Sequence, residues 1–266
     1  MDTPSEPPVV LVVAGLDPTG RAGLAADLRA LAALGVHGAP VATCLTDQSN
    51  AGLHAMVPVD GALVSAQLAS VLADLPVAAV KVGLVASSEV ARALASCLAA
   101  YPELPAVIDP VLATSTGDSL LDEAARVALL SALVPRAHVL TPNLDEADAL
   151  LGLAPGSARS EPLASARALL ALGPRAVLLK GGHGRGEQAV DLWLDADGAH
   201  ELALPRLAGR TARGTGCTLA SALAAGLAHG LPGREAARRA KQLVHDALFR
   251  APLDGPPRAL DVRARR

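Results

Sequence analysis

One tryptophan, one tyrosine and one phenylalanine are all the aromatic residues in this 266-residue chain. A surface for nucleic acid strands stacks bases on aromatic rings and lines the backbone with cations. With so few rings and a formal net charge of -3, nucleic acid is not an expected partner. Cysteine is almost as scarce. Cys44, Cys97 and Cys217 fall at no metal-ligand spacing and cannot all pair, so a disulfide framework is not expected. No apolar run reaches the roughly 18 residues of a membrane span, and the N-terminus lacks a charged segment followed by an apolar one. The expectation is a protein of the cytoplasm, with no membrane partner. Two phosphate-binding signatures are missing too. GxxxxGK followed by Ser or Thr occurs nowhere, and the loop after the first apolar run, GLDPTGRAG, has the wrong spacing for a dinucleotide turn.

What the chain has is apolar content, 51% of its residues, enough for a full core in one domain spanning 1-266. Short β-branched runs alternate with Ala/Leu-rich helical patterns. VVLVVA (9-14), APVATC (39-44), AAVKVG (78-83), PAVIDP (105-110), HVLTP (138-142) and RAVLLKGG (175-182) read as strands. Helical spacing covers 24-34, about 62-72, 89-100, about 123-133, 143-151, 162-172, about 217-229 and 233-249. A hairpin is expected around Asp197-Gly198, and the structured core over about 9-249, with a loose, Pro- and Arg-rich C-terminal end. Such alternation implies an α/β fold: a mainly parallel sheet covered by helices on both faces.

In sheets of this kind ligands bind beyond the carboxyl ends of the strands, and the loops there are polar. In TPNLDEA, Asn143 and Glu146 have the spacing of a capping box; the same pair at a helix start can hold a hydrated Mg²⁺ through oxygen. Asp109 before Pro110 is either a turn residue or a second carboxylate for that ion. Lys180 at a strand end either extends its stem to the surface or contacts phosphate as a point charge. In GTGCTLASALAAG, Gly214 and Gly216 allow close backbone approach at a helix start whose unpaired N-H groups form an anion site. Cys217 there is either a small buried hydrophobe or an activated thiol, its pKa lowered by the helix dipole to about 3.5 to 7.5. A nucleophilic thiol would want a histidine, and His183 is the candidate, since His229 lies about three turns along the same helix. The phosphate-type features around the thiol fit phosphoryl transfer better than thiol hydrolysis.

Taken in order, AGLDPTGRAGLAADL, TCLTDQSNAG, VKVGLV, VIDPVLATSTGD, LTPNLDEA, LLKGGH and GTGCTLASALAAGLA resemble the hydroxymethylpyrimidine/phosphomethylpyrimidine kinases of thiamine biosynthesis, within the ribokinase superfamily. The resemblance runs from about Val9 to Phe249. It implies a ribokinase-like three-layer αβα sandwich, ATP and Mg²⁺ as co-reactants, and a homodimer. It also implies two successive transfers, to the pyrimidine hydroxymethyl group and then to the monophosphate. By the same resemblance Asp27 and Gln48 contact the pyrimidine, and Leu84 and Val111 line it. Gly214, Thr215 and Gly216 form the anion hole, and Cys217 activates the acceptor. Asp109, Asn143 and Glu146 belong to the metal and phosphate side, with Lys180 on the ATP side. The chain departs from the family where Arg21 follows Gly20 in place of a second glycine, and where ATSTGD lacks a lysine before its Ser-Gly. Arg21 or Arg213 would restore that charge. The rival readings are a pyridoxine or pyridoxal kinase of the same superfamily and an inactive pyrimidine-binding module.

Overall fold

The computed structural model describes residues 6-49, 51-114, 117, 119-182, 186-253 and 258-263. His183 and, in the ATSTGD stretch, Ser115, Thr116 and Asp118 lie outside the described residues. A nine-stranded sheet forms the middle layer. Its strands are β1 (Val9–Leu16), β2 (His37–Ser49), β3 (Gly52–Pro58), β4 (Val77–Val82), β5 (Ala106–Ile108), β6 (Val139–Leu140), β7 (Ala176–Leu179), β8 (Gln188–Asp195) and β9 (Gly198–Pro205). Their order is β3-β2-β1-β4-β5-β6-β7-β8-β9. Strands β2, β1, β4, β5, β6 and β7 are parallel neighbours, so all six carboxyl ends open on one edge. The hairpin expected around Asp197-Gly198 is the antiparallel β8–β9 pair.

Helices cover both faces: α1 (Gly23–Ala33), α2 (Gly61–Asp74), α3 (Ser88–Ala100), α4 (Glu123–Ala128), α5 (Leu144–Leu151), α6 (Ser157–Ser160), α7 (Pro162–Leu170), α8 (Thr215–Ala228) and α9 (Gly233–Phe249). Alternation along a strand decides which face each residue serves. In β1, Leu11 and Val13 join the core under α2, α3, α5 and α7. Val10, Val12 and Ala14 join the core under α1, α8 and α9. The central strands are therefore buried on both sides, which is why they read as unbroken apolar runs. Helix α8 is buried over nine residues and has no polar stripe, as suits a helix enclosed in the core. At its close crossing with α9, a Cβ on Gly226 would lie 2.7 Å from that of Ala236.

The sheet edge, one helix end and the C-terminus differ from the sequence expectation. Strand β2 runs on to Ser49 and turns into β3, antiparallel and on the sheet edge; its polar TDQS residues hid the extension. The helix expected over 123-133 is α4 followed by a π-helical turn at Leu129–Leu133. Within the C-terminal end, residues 258–260 are held, contrary to expectation. Arg258–Ala259 (β11) pairs in parallel with Ala212–Arg213 (β10), and Leu260 is buried in the α8 and α9 core. Apolar burial of one leucine outweighs the Pro/Arg composition that suggested a loose end. Among the described residues no helix is long and apolar enough to cross a membrane.

Candidate active site

Helix α8 begins two residues earlier than its periodicity suggests, because Thr215 and Gly216 complete its first turn. Gly214 is the N-cap, with φ +79°, and no side chain caps it. The first intrahelical bond is Thr218 N–H to Gly214 C=O, which leaves the N–H groups of Thr215, Gly216 and Cys217 without a helical acceptor. Three donors and the positive end of the helix dipole converge there, the arrangement that receives an anion. Glycine is required at 214, since a Cβ would sit 2.1 Å from the Arg21 carbonyl oxygen. That contact joins the turn to the loop after β1.

The β1 loop is built by one carboxylate. Asp17 is buried and accepts from the backbone N–H groups of Thr19, Arg21 and Ala22 and from the Thr19 hydroxyl. Burial alone would raise its pKa, but these bonds and the Gln48 amide outweigh it and hold the carboxyl below its usual range. Gln48 is thereby fixed against the loop. Beyond it, Arg213 Nη1 donates to the Ser49 carbonyl at 2.9 Å, tying the β2–β3 tip to the segment that enters the anion turn.

Cys217 is the third residue of α8, not a cap, and its thiol is half-buried. Burial pushes it up to about 11. Lys81 and the Gly23 N–H pull it down, while Asp27 and Asp109 push it further up. This corrects the expectation of a lowered thiol, because desolvation of the charged form and the two carboxylates outweigh Lys81 and the Gly23 N–H.

At the ends of β5, β6 and β7 three charged groups meet. Lys180 Nζ lies 2.7 Å from Asp109 Oδ1 and 3.8 Å from Glu146 Oε2. Asp109 Oδ1 also accepts from the Thr141 hydroxyl at 3.1 Å. Asn143 and Glu146 form the capping box, with the Asn143 side chain on the Glu146 N–H and the Glu146 side chain on the Asn143 N–H. Glu146 is raised to about 7, chiefly by burial, with Lys180 opposing and Asp109 assisting. The Lys180 amine is held above its ordinary value, since Asp109 and Glu146 outweigh the effect of burial. The group borders the anion turn: a Cβ on Gly216 would lie 3.4 Å from Lys180 Nζ and 3.6 Å from Asp109 Oδ2.

Leu84 and Val111 meet in a small apolar cluster with Cys44, Ala86, Leu120 and Met56. Its floor is Gly15, where a Cβ would stand 2.7 Å from Cys44 Sγ. Ala86 has φ +66°, a left-handed conformation that non-glycine residues hold only when their surroundings impose it. Asp27 is not on this surface. It is wholly buried, with its oxygens taken by Lys81 Nζ and Ser221 Oγ at 2.8 Å each. The direct pyrimidine contact implied for it is corrected accordingly, because no face of the carboxylate is open. Lys81 is hidden within the apolar run VKVGLV, although a charged residue inside a buried strand is nearly always paired.

A family model described as phosphomethylpyrimidine kinase matches residues 17–255. A hydroxymethylpyrimidine/phosphomethylpyrimidine kinase of Rhizobium meliloti is 43% identical over 91% of this chain and 91% of its own length. Among solved structures, the ADP complex of Bacillus subtilis pyridoxal kinase superposes with a TM-score of 0.84 at 30% identity, covering 95% of this chain and 97% of that one. The phosphomethylpyrimidine kinase of Clostridium difficile superposes with a TM-score of 0.79 at 32% identity, covering 91% of this chain and 99% of that one. With the anion turn, the strand-end lysine and the apolar cluster assembled on one edge of a ribokinase-like sheet, the chain belongs to the phosphomethylpyrimidine kinase family.

Proposed function

We propose that this protein transfers the γ-phosphoryl group of ATP to hydroxymethylpyrimidine, and then to the resulting monophosphate, in thiamine biosynthesis. The observation that carries the reading is the approach of Lys180 to the Gly214–Cys217 turn, where a Cβ on Gly216 would lie 3.4 Å from Nζ, at the sheet edge that also carries the apolar cluster of Leu84 and Val111. Those aliphatic side chains take the ring and Gln48 its polar edge, leaving the hydroxymethyl group toward Cys217. The N–H groups of Thr215, Gly216 and Cys217 receive the moving phosphoryl group, with Lys180 as a point charge beside it. The acceptor oxygen bonds to the γ-phosphorus as the bond to the ADP oxygen breaks. A loose transition state needs positioning more than a strong base. Cys217, with a thiol pushed up to about 11, orients the hydroxyl, whose proton leaves late onto the transferred group.

Mg²⁺ fits the donor set. Among the described residues no group of three His, Cys, Asp or Glu side chains could cage a metal. Mg²⁺, however, is commonly held by one or two carboxylates, waters and substrate phosphates, and Asp109 and Glu146 already share a cation in Lys180. Asp109 and Glu146, with Asn143, would hold it on the phosphate side, where it would neutralise charge on the phosphates. A homodimer is supported by the β2–β3 hairpin, where Leu45 and Val57 are 52% and 64% exposed, an apolar edge that a second copy can cover. A cytoplasmic location is the reading we carry with it, supported by the use of ATP as donor.

The test offers the protein ATP and Mg²⁺ with hydroxymethylpyrimidine, its monophosphate or pyridoxal, and follows products by phosphorus NMR. Both pyrimidines are expected to be phosphorylated. Failure with the monophosphate alone reduces the reading to one transfer, and preference for pyridoxal in competition overturns it. No ADP with any acceptor would leave a binding module.

A further inference from the structure

Lys81 lies in the interior of β4 with no exposed surface. Its neighbours Val80 and Val82 face the α2 and α3 core, so Lys81 points to the other side of the sheet, where α1 and α8 pack. A buried ammonium persists only when paired and hydrogen-bonded. Asp27 of α1, equally buried, holds it at 2.8 Å and takes a second bond from Ser221 Oγ at 2.8 Å. Ser221 follows Cys217 by four residues on α8, so both side chains stand on one face of the helix, a turn apart. On its other flank the ammonium meets Gly83, where a Cβ would be 2.8 Å from Nζ. Leu84 comes next, its carbonyl held by Thr43 Oγ1 at 2.6 Å. One ammonium thus spans the helix face that carries Cys217 and the strand end that carries Leu84.

Stability does not require a charged pair here. Replacing both members of a buried ion pair by apolar side chains is often neutral or stabilising, whereas removing one member is strongly destabilising. The pair also sits where two walls of the acceptor pocket must keep a fixed separation. We propose that Lys81 is a positioning residue for phosphoryl transfer, acting through Asp27 and Ser221 on the first turn of α8 and through Gly83 on Leu84. It touches no substrate and exchanges no proton. The inference rests on the reading of Cys217 as the residue beside the acceptor hydroxyl.

The experiment replaces the pair with Lys81→Met and Asp27→Leu together, and measures turnover, melting temperature and ADP released per pyrimidine phosphorylated. The double variant is expected to melt at or above the wild-type temperature and to keep KM for ATP within about twofold, while kcat falls at least about tenfold. ADP per product should rise above one, because water reaches a phosphoryl group whose acceptor is misplaced. A folded double variant with wild-type kcat and coupling overturns the proposal. Should the double variant not fold, Ser221→Ala, which deletes one hydroxyl, is expected to show a smaller coupling defect, and intact coupling there overturns the proposal equally. Cys217→Ala serves as the control. Wild-type turnover in it overturns the reading of the thiol and this inference together, whereas loss of turnover there beside a fully active double variant overturns the Lys81 role alone.

Discussion

Two lysine–aspartate contacts of nearly equal length lie toward the same edge of the sheet, Lys81–Asp27 at 2.8 Å and Lys180–Asp109 at 2.7 Å. The first is sealed, with both side chains at 0% exposure. The second opens on the anion turn, with Lys180 at 13%, Asp109 at 3% and Glu146, the further carboxylate, at 13%. The sealed cation faces one carboxylate whose second oxygen is taken by Ser221. The open cation faces two carboxylates. An open group with excess negative charge can exchange its ammonium for another cation, or turn it toward phosphate, while a sealed neutral pair can do neither. Length does not separate the two; access and the ratio of charges do.

The largest effects should come from removing each lysine alone. Lys81→Met leaves Asp27 buried and unpaired and should cost about 3–5 kcal/mol of unfolding free energy. Lys180→Met should lower turnover on the order of 100-fold, the scale of losing one stabilising group at a developing charge. Its stability loss should be recovered by Mg²⁺, because a second cation can enter between Asp109 and Glu146. Urea unfolding of both variants with and without Mg²⁺ is the measurement. If Mg²⁺ rescues Lys81→Met, or leaves Lys180→Met untouched, the division into sealed and open pairs is wrong.

The open pair should also give the ligand-free protein a pH dependence. Glu146 titrates at about 7 when folded, above its ordinary 4.5. A carboxyl raised on folding contributes stability that is fully present below the unfolded value and is lost as pH rises through the folded one. Between pH 5 and 8 this amounts to a loss on the order of 2 kcal/mol. Glu146→Gln, which resembles the protonated form, should flatten that segment of the stability profile. A profile equally steep in the variant would assign the titration elsewhere.

The sequence announced the open pair and concealed the sealed one, for a physical reason. Asp109, Asn143, Glu146 and Lys180 stand at strand ends, where apolar periodicity breaks and polar residues show. Lys81 stands within an apolar run, where one cation is easily passed over as a residue reaching for the surface. The layered fold was legible because the central parallel strands β1, β4, β5, β6 and β7, largely buried on both faces, leave continuous apolar runs. The edge strand β3 and the C-terminal β11 were not, since each depends on a distant partner: β2 with a polar tip for one, the anion-turn segment for the other. The thiol's electrostatic setting was equally hidden, because a cysteine at a helix start reads the same whether or not Asp27, Lys81 and Asp109 lie near it.

Neither lysine pair touches the ring that the apolar cluster would hold, so the polar contact to the pyrimidine can be tested apart from both. Gln48 is the residue to test. Its amide is bonded to Asp17, which fixes its orientation from the loop side, and an amide can donate and accept against a ring N–C–NH₂ edge. Gln48→Leu keeps the bulk and removes both functions. It should raise KM for the pyrimidine by about tenfold, or ~1.4 kcal/mol. KM for ATP and the Mg²⁺ response of Lys180→Met should stay as they are, because Asp17 retains its bonds to Thr19, Arg21 and Ala22 and so keeps the loop in place. A rise in both KM values would mean that Gln48 braces the β1 loop and the phosphate side with it. An unchanged pyrimidine KM would leave the ring held by Leu84, Val111 and their apolar neighbours alone.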